Sequence, residues 1–348
     1  MRLRALALAL LIAAPACAAD RLYVNGAIVT VDQRQPHANA MLVRGDRIAA
    51  IGERADIQAG ATAQTQVVDL EGRTVIPGLI DSHIHAIRAG LSYATEVHWT
   101  GAATIPEALQ RLRNAAEGLA PGGWLIVAGG WTELQFAERR RPTQEEIEAA
   151  APRHRVYIQQ LYSSALLSRS AVEALDLANN GPLLAQLKTQ DASGEIRGWL
   201  SGEADAITAL FDLLPRPSLA QQVEGTKAFF RMLNSLGMTG VMDPGGYNLP
   251  LEAYGAVRAL ARERQLTLRV VYSLSAPSPG SEYDDFARLT KDLPMGAGDA
   301  YLRFNGIGEN VTWGMYNNEK PSADDKAALA RVLALAAERR LSATFHWM

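Results

Sequence analysis

In the first part of the chain, apolar residues come in short β-rich runs: Leu22 to Val24, Ala27 to Val31, Ala40 to Val43, Arg47 to Ile51 and Gln66 to Asp69. The turn dipeptides Asn25-Gly26, Gly45-Asp46 and Glu71-Gly72 lie between them. Such close spacing predicts a small antiparallel β-domain over residues 19–75. Val75 to Ile84 then reads as a buried strand with Pro77-Gly78 at its start.

The pattern weakens over residues 90–215, which read as an insertion. A helix is expected from about Ile105 to Leu119, because Thr104 and Glu107 form a capping-box signature and Leu109, Leu112, Ala116 and Leu119 share one face. Short strands are expected at Trp124 to Ala128 and Val156 to Gln160. The polar, Gly-containing stretch from Asn179 to Gly202 reads as loop with hairpin signals.

Regular alternation begins at Ser218, which caps a helix carrying Leu219, Val223, Phe230 and Leu233 and ending at Gly237. After it come strand Met238 to Asp243, helix 249–264, strand Leu266 to Leu274, helix 284–292, strand Tyr301 to Ile307, helix 322–340 and strand Leu341 to Phe345. Alternating strands and helices imply a parallel sheet with helices outside it. An open doubly wound sheet alternates in the same way, but no Gly-x-Gly-x-x-Gly turn follows any strand. Together with the histidine motif described below, this favours a (β/α)8 barrel, an α/β fold, over residues 76–348.

The 348 residues are 48% hydrophobic and 20% charged, enough apolar material for a large core. Arg2 and Arg4 precede an apolar run from Ala5 to Ala14, and the small residues Ala16, Cys17 and Ala18 follow. That is the pattern of a secretory signal peptide over residues 1–18, so the protein is expected to be exported, periplasmic or secreted, from a bacterium. Removing it takes away two arginines and no acid, moving the net charge from -3 to -5. Neither nucleic acid nor an anionic membrane is expected as partner, unless lipidation at Cys17 anchors the chain. Cys17 is the only cysteine, so the mature chain would have neither disulfides nor thiolate ligands. A metal would have to be held by His, Asp, Glu or a modified Lys.

Ile80-Asp81-Ser82-His83-Ile84-His85 ends the strand that follows the β-domain. Residues two apart on a strand point to the same face, which places His83 and His85 together at a strand's C-terminal end, where barrel enzymes build their sites. Two imidazoles side by side suit zinc or a similar divalent ion. The spacing alone also fits two side chains with no ligand, and leaves both readings open.

The wider segment Val75-Ile76-Pro77-Gly78-Leu79-Ile80-Asp81-Ser82-His83-Ile84-His85, with Val68-Asp69-Leu70-Glu71-Gly72 before it, resembles the amidohydrolase superfamily. The long insertion after the histidines and the strand Leu236-Gly237-Met238-Thr239-Gly240-Val241-Met242-Asp243 resemble amidohydrolase family 3, the branch that contains N-substituted formamide deformylase. The resemblance runs from Leu22 to Met348 and implies a barrel of which only strands 1 to 5 are present. It also implies one or two divalent ions, most simply zinc, held by His83 and His85 of strand 1, Glu309 after strand 4 and His346 after strand 5. Gly308 competes with Glu309 for the ligand position. The strand-6 histidine and the strand-8 aspartate, the family's general base, would lie beyond Met348. Trp131, after Gly129-Gly130, falls in a region that in the family leans over the barrel mouth, and is a candidate substrate-binding residue. Tyr162-Ser163-Ser164 and Ser168 stand where the family tends to carry a His and an Asn-Ser pair, which detaches substrate specificity from the resemblance.

The implied activity is hydrolysis of a non-peptide carbon-nitrogen bond in a small molecule, an amide, formamide or cyclic amide, by a metal-activated water. Two rivals stand beside it: a truncated noncatalytic fragment, and a periplasmic α/β binding protein in which His83 and His85 are incidental. Asp81 is expected to hold backbone at the strand end. Asp243 faces the barrel mouth no nearer than behind the ligands, and His37, His98 and His154 lack strand-end context.

Overall fold

A computed structural model describes residues 19–189, 196–246, 249–315 and 320–346, which group into two compact units, the first ending at Leu79 and the second beginning at Ile80. The expected export segment and Cys17 lie outside the described residues, as does part of the stretch read as a hairpin loop. Among the described residues, no helix is long and apolar enough to cross a membrane.

The first unit holds two small sheets. In one, Arg47–Gly52, Ala40–Arg44, Arg21–Val24 and Gln66–Asp69 lie side by side; in the other, His37–Ala38, Ala27–Val29 and Thr74–Val75. Leu22, Val24, Ala40 and Leu42 alternate inward to form its core. The expectation of an antiparallel domain is corrected here, because the last strand of each sheet runs parallel to its neighbour, Gln66–Asp69 beside Arg21–Val24 and Thr74–Val75 beside Ala27–Val29. The short helix Arg54–Ile57 and the 3-10 turn Gln58–Gly60 carry the chain back between the strands, and Glu53 at the helix start makes no side-chain cap that sequence could reveal.

The second unit is built on a five-stranded sheet whose strands follow one another in chain order. They are labelled β1 (Leu79–Asp81), β2 (Met238–Asp243), β3 (Arg269–Leu274), β4 (Leu302–Ile307) and β5 (Ser342–Ala343). The pairings from β2 to β5 are parallel. Helices Leu219–Ser235, Gly255–Arg262, Glu282–Leu289 and Ala323–Glu338 fill the connections in the expected order. Val241, Val270, Tyr272, Leu274 and Phe304 pack with Phe229, Phe230, Val257 and Leu260 in one core.

The strand read as buried from Val75 to Ile84 is shorter and more open than expected. Pro77-Gly78 divides it into Thr74–Val75, which joins the first unit, and β1, whose Ile80 lies over Gly240 of the next strand and is 73% exposed.

The described residues of the stretch read as an insertion hold a sheet of their own. That sheet runs Trp199–Ser201, Ser164–Leu167, Arg155–Gln160, Trp124–Val127 and is covered by helices Ile105–Glu117, Gln144–Ala150 and Ala204–Asp212. Thr104 caps its helix as expected, accepting from Glu107 N, but the Glu107 carboxylate reaches one residue further back, to Ala103 N.

Candidate metal centre

Both histidines of the motif lie just past β1 rather than on it. Asp81 Oδ1 accepts the backbone N–H of His83 at 3.0 Å, turning the chain at the strand end, and His85 takes the N-cap position of helix Ala86–Ser92. The two rings sit edge to face, 5.7 Å apart between centroids. Glu309 follows β4 by two residues and is buried. Its Oε2 lies 3.0 Å from Nε2 of His83, and its Oε1 lies 3.2 Å from Nε2 of His85. His346 arrives through the pairing that continues past β5. Thr344 N bonds to Ile307 O and His346 N to Glu309 O, which brings Nδ1 of His346 to 3.4 Å from Glu309 Oε1.

Gly308 bears no ligand and has no space for one. Its φ is +150°, and a Cβ there would meet the carbonyls of Thr344 and Pro244, so the carboxylate comes from the next residue. Gly245 is under the same constraint, with φ +86° and a Cβ position that collides with the Gly308 carbonyl. Ser275 Oγ ties these two loops together, accepting from Gly246 N and donating to Gly308 O, each at 2.8 Å.

The donor set fits a divalent cation. One atom from each of His83, His85 and Glu309 lies within 4.8 Å of the others. His85 Nδ1 stands 2.7 Å from the carbonyl of Gly245, which only accepts, so Nδ1 carries a proton; Nε2 then donates to Glu309 Oε1 when the ring is charged, and would offer its lone pair to a cation held there. Glu309 Oε2 is buried and close to Nε2 of His83, yet makes no hydrogen bond. A buried carboxylate oxygen beside imidazole nitrogens is the arrangement a cation satisfies.

The charges respond to one another. The hydrogen bond with Glu309 raises the His85 pKa above its usual value, against the opposing effect of burial. Burial pushes the Glu309 carboxyl up, but His85 and the neighbouring imidazoles outweigh it and hold it below the usual range. Asp243, at the end of β2, is pushed up to about 6, chiefly by burial.

The other candidates fall elsewhere. Trp131 is corrected as a substrate-binding residue. Its ring is 4% exposed, packs with Trp99, Phe136 and Trp199, and donates its N–H to the Gln159 carbonyl, so burial in the insertion's core leaves no face for a ligand. His98 bonds to the Tyr93 carbonyl and stacks on that ring, His154 faces the Leu119 carbonyl, and His37 sits in a strand of the first unit. Sequence reasoning missed the service loop of Pro244, Gly245 and Gly246. The paired glycines after β2 were the available sign.

Residues 66–347 match the family described as the amidohydrolase family. Protein LONG AFTER FAR-RED 3 of Arabidopsis thaliana is 32% identical over 235 residues, 66% of this chain and 39% of that protein. N-substituted formamide deformylase of Arthrobacter pascens is 31% identical over 185 residues, 53% of this chain and 33% of that enzyme. The chain thus spans between one-third and two-fifths of the length of these two relatives. An uncharacterized metal-dependent hydrolase from Pyrococcus furiosus shares the fold, with a TM-score of 0.61 at 18% identity over 94% of this chain and 67% of that one.

Proposed function

The chain belongs to the amidohydrolase family, and from that premise we propose that it carries the metal-binding residues of a hydrolase that cleaves a non-peptide carbon-nitrogen bond in a small molecule. The observation that carries this reading is the meeting of His83, His85 and Glu309 nitrogens and oxygens within 4.8 Å, at the C-terminal edge of the parallel sheet where barrel enzymes work. In this reading β1 to β5 are the first five strands of a (β/α)8 barrel.

His83, His85, Glu309 and His346 would hold one or two divalent ions, and zinc suits a set of imidazoles and one carboxylate. When bound, such an ion lowers the pKa of water toward about 7 and polarises a carbonyl. The chain's own residues do the rest. The Gly245 carbonyl fixes which nitrogen of His85 is free, and Glu309, held ionised by the imidazoles, supplies negative charge to the cluster. An amide or formamide is the favoured substrate class, supported by the likeness to a relative named for N-substituted formamides.

Treating the complete protein with a chelator should abolish release of formate from N-substituted formamides, and zinc should restore it. Hydrolysis insensitive to chelation would contradict the reading. Ammonia release from a ring amidine, without formate, would move the substrate class to deamination.

A further inference from the structure

His85 stands at the N-cap of helix Ala86–Ser92, where a polar side chain ordinarily accepts a backbone N–H of the first turn, yet it makes no such bond. Its ring is turned the other way, toward Gly245 O. The missing cap comes from Asp243, 156 positions beyond the Ile87 whose N–H it accepts. Asp243 Oδ2 accepts the backbone N–H of Ile87 at 2.8 Å, and its Oδ1 accepts the N–H of Gly245 at 3.0 Å. Ile87 lies two residues after His85, and Gly245 provides the carbonyl that His85 Nδ1 touches. One carboxylate, 1% exposed, therefore grips the backbone on both sides of a single imidazole.

From this geometry we infer that Asp243 is the positioning residue of the metal centre: by capping the helix in place of His85 and anchoring Gly245, it frees the His85 ring for ligation and locks it in the Nδ1–H form. The inference rests on the metal reading above. Both partners of Asp243 are donors, so an amide at this position satisfies one and opposes the other. The consequence falls on His85 in either case, because either the Gly245 carbonyl loses its anchor or the first helical turn loses its cap. Residues that orient a metal-bound histidine from behind typically contribute 10- to 100-fold in metal affinity.

The test uses the complete protein, with zinc as the probe, in wild type and in Asp243→Asn. Zinc affinity is measured by competition with a chelating dye. The tautomer of His85 is read from its ring nitrogen resonances in metal-free protein, at a pH where the ring is neutral. Wild type should show Nδ1–H. The variant should melt cooperatively, lose that single tautomer and bind zinc roughly 10- to 100-fold more weakly. Unchanged zinc affinity together with an unchanged tautomer in the variant overturns the inference while leaving the metal site standing. A wild-type ring in the Nε2–H form also overturns it. Should wild type bind no zinc, the proposed function fails and the tautomer in the two proteins decides the positioning role by itself. If Asp243→Asn does not fold, Asp243→Ser, which removes the charge and one acceptor, is held to the same two readouts; if it fails as well, the wild-type tautomer decides.

Discussion

Glu309 Oε1 stands 3.2 Å from Nε2 of His85, and the contact biases the protonation of both groups in opposite directions. In metal-free protein the carboxylate raises the His85 pKa above 6.5. A raised folded-state value stabilises the protein below the ordinary histidine range, and that stability is lost as pH rises through the folded value. Glu309→Gln should therefore lower the His85 titration midpoint, and should reduce stability most at mildly acid pH, where Glu309 is ionised and His85 is charged. Titration of the His85 ring by NMR checks this, and an unmoved midpoint in the variant would contradict it.

Asp243 gives a pH dependence of its own. Its carboxyl titrates near 6 in the folded chain against 3.8 ordinarily, so between those values the folded state keeps a proton that the unfolded state has given up. Stability from this group is present below pH 3.8 and is lost as pH rises through 6, a change on the order of 3 kcal/mol. Asp243→Asn does not titrate. Urea unfolding across this range should show wild type losing ground to the variant as pH rises, whereas a gap independent of pH would refute the assignment.

Trp131 should matter to stability and not to the metal. Its ring is stacked on Phe136 and meets Trp99 and Trp199, so Trp131→Ala leaves a large cavity and should destabilise the protein by roughly 3–5 kcal/mol. Zinc affinity should stay at the wild-type value. A variant of normal stability that fails only in substrate binding would return Trp131 to the mouth of the site.

The spacing of His83 and His85 showed that two imidazoles share a strand end, but only the resemblance of the wider segment from Val75 to His85 made them candidate ligands. His346 came from the resemblance, which expects a histidine after strand 5, and the alternation supplied only the strand that it follows. Sequence does not separate Glu309 from Gly308, because the distinction lies in the close approach of Thr344 and Pro244 to Gly308. Asp243 and Ile87 are 156 residues apart, and nothing in either neighbourhood announces that pairing. Trp131 failed for the opposite reason, since an aromatic after a Gly-Gly turn looks the same whether it packs a core or faces a ligand. The helix Gln144–Ala150 had a readable sign, Thr143 and Glu146 in a capping box, which was overlooked; the parallel strand Gln66–Asp69 depends on an uncapped helix of four residues and had none.

The measurement that bears most directly on the metal centre is the zinc content of the complete protein, after loading and desalting, in wild type and in the double variant His83→Ala, His85→Ala. Wild type should retain one or two equivalents and the double variant none, because Glu309 and His346 alone offer too few ligands to hold the ion. Full zinc occupancy in the double variant, or none in wild type, would contradict the metal centre.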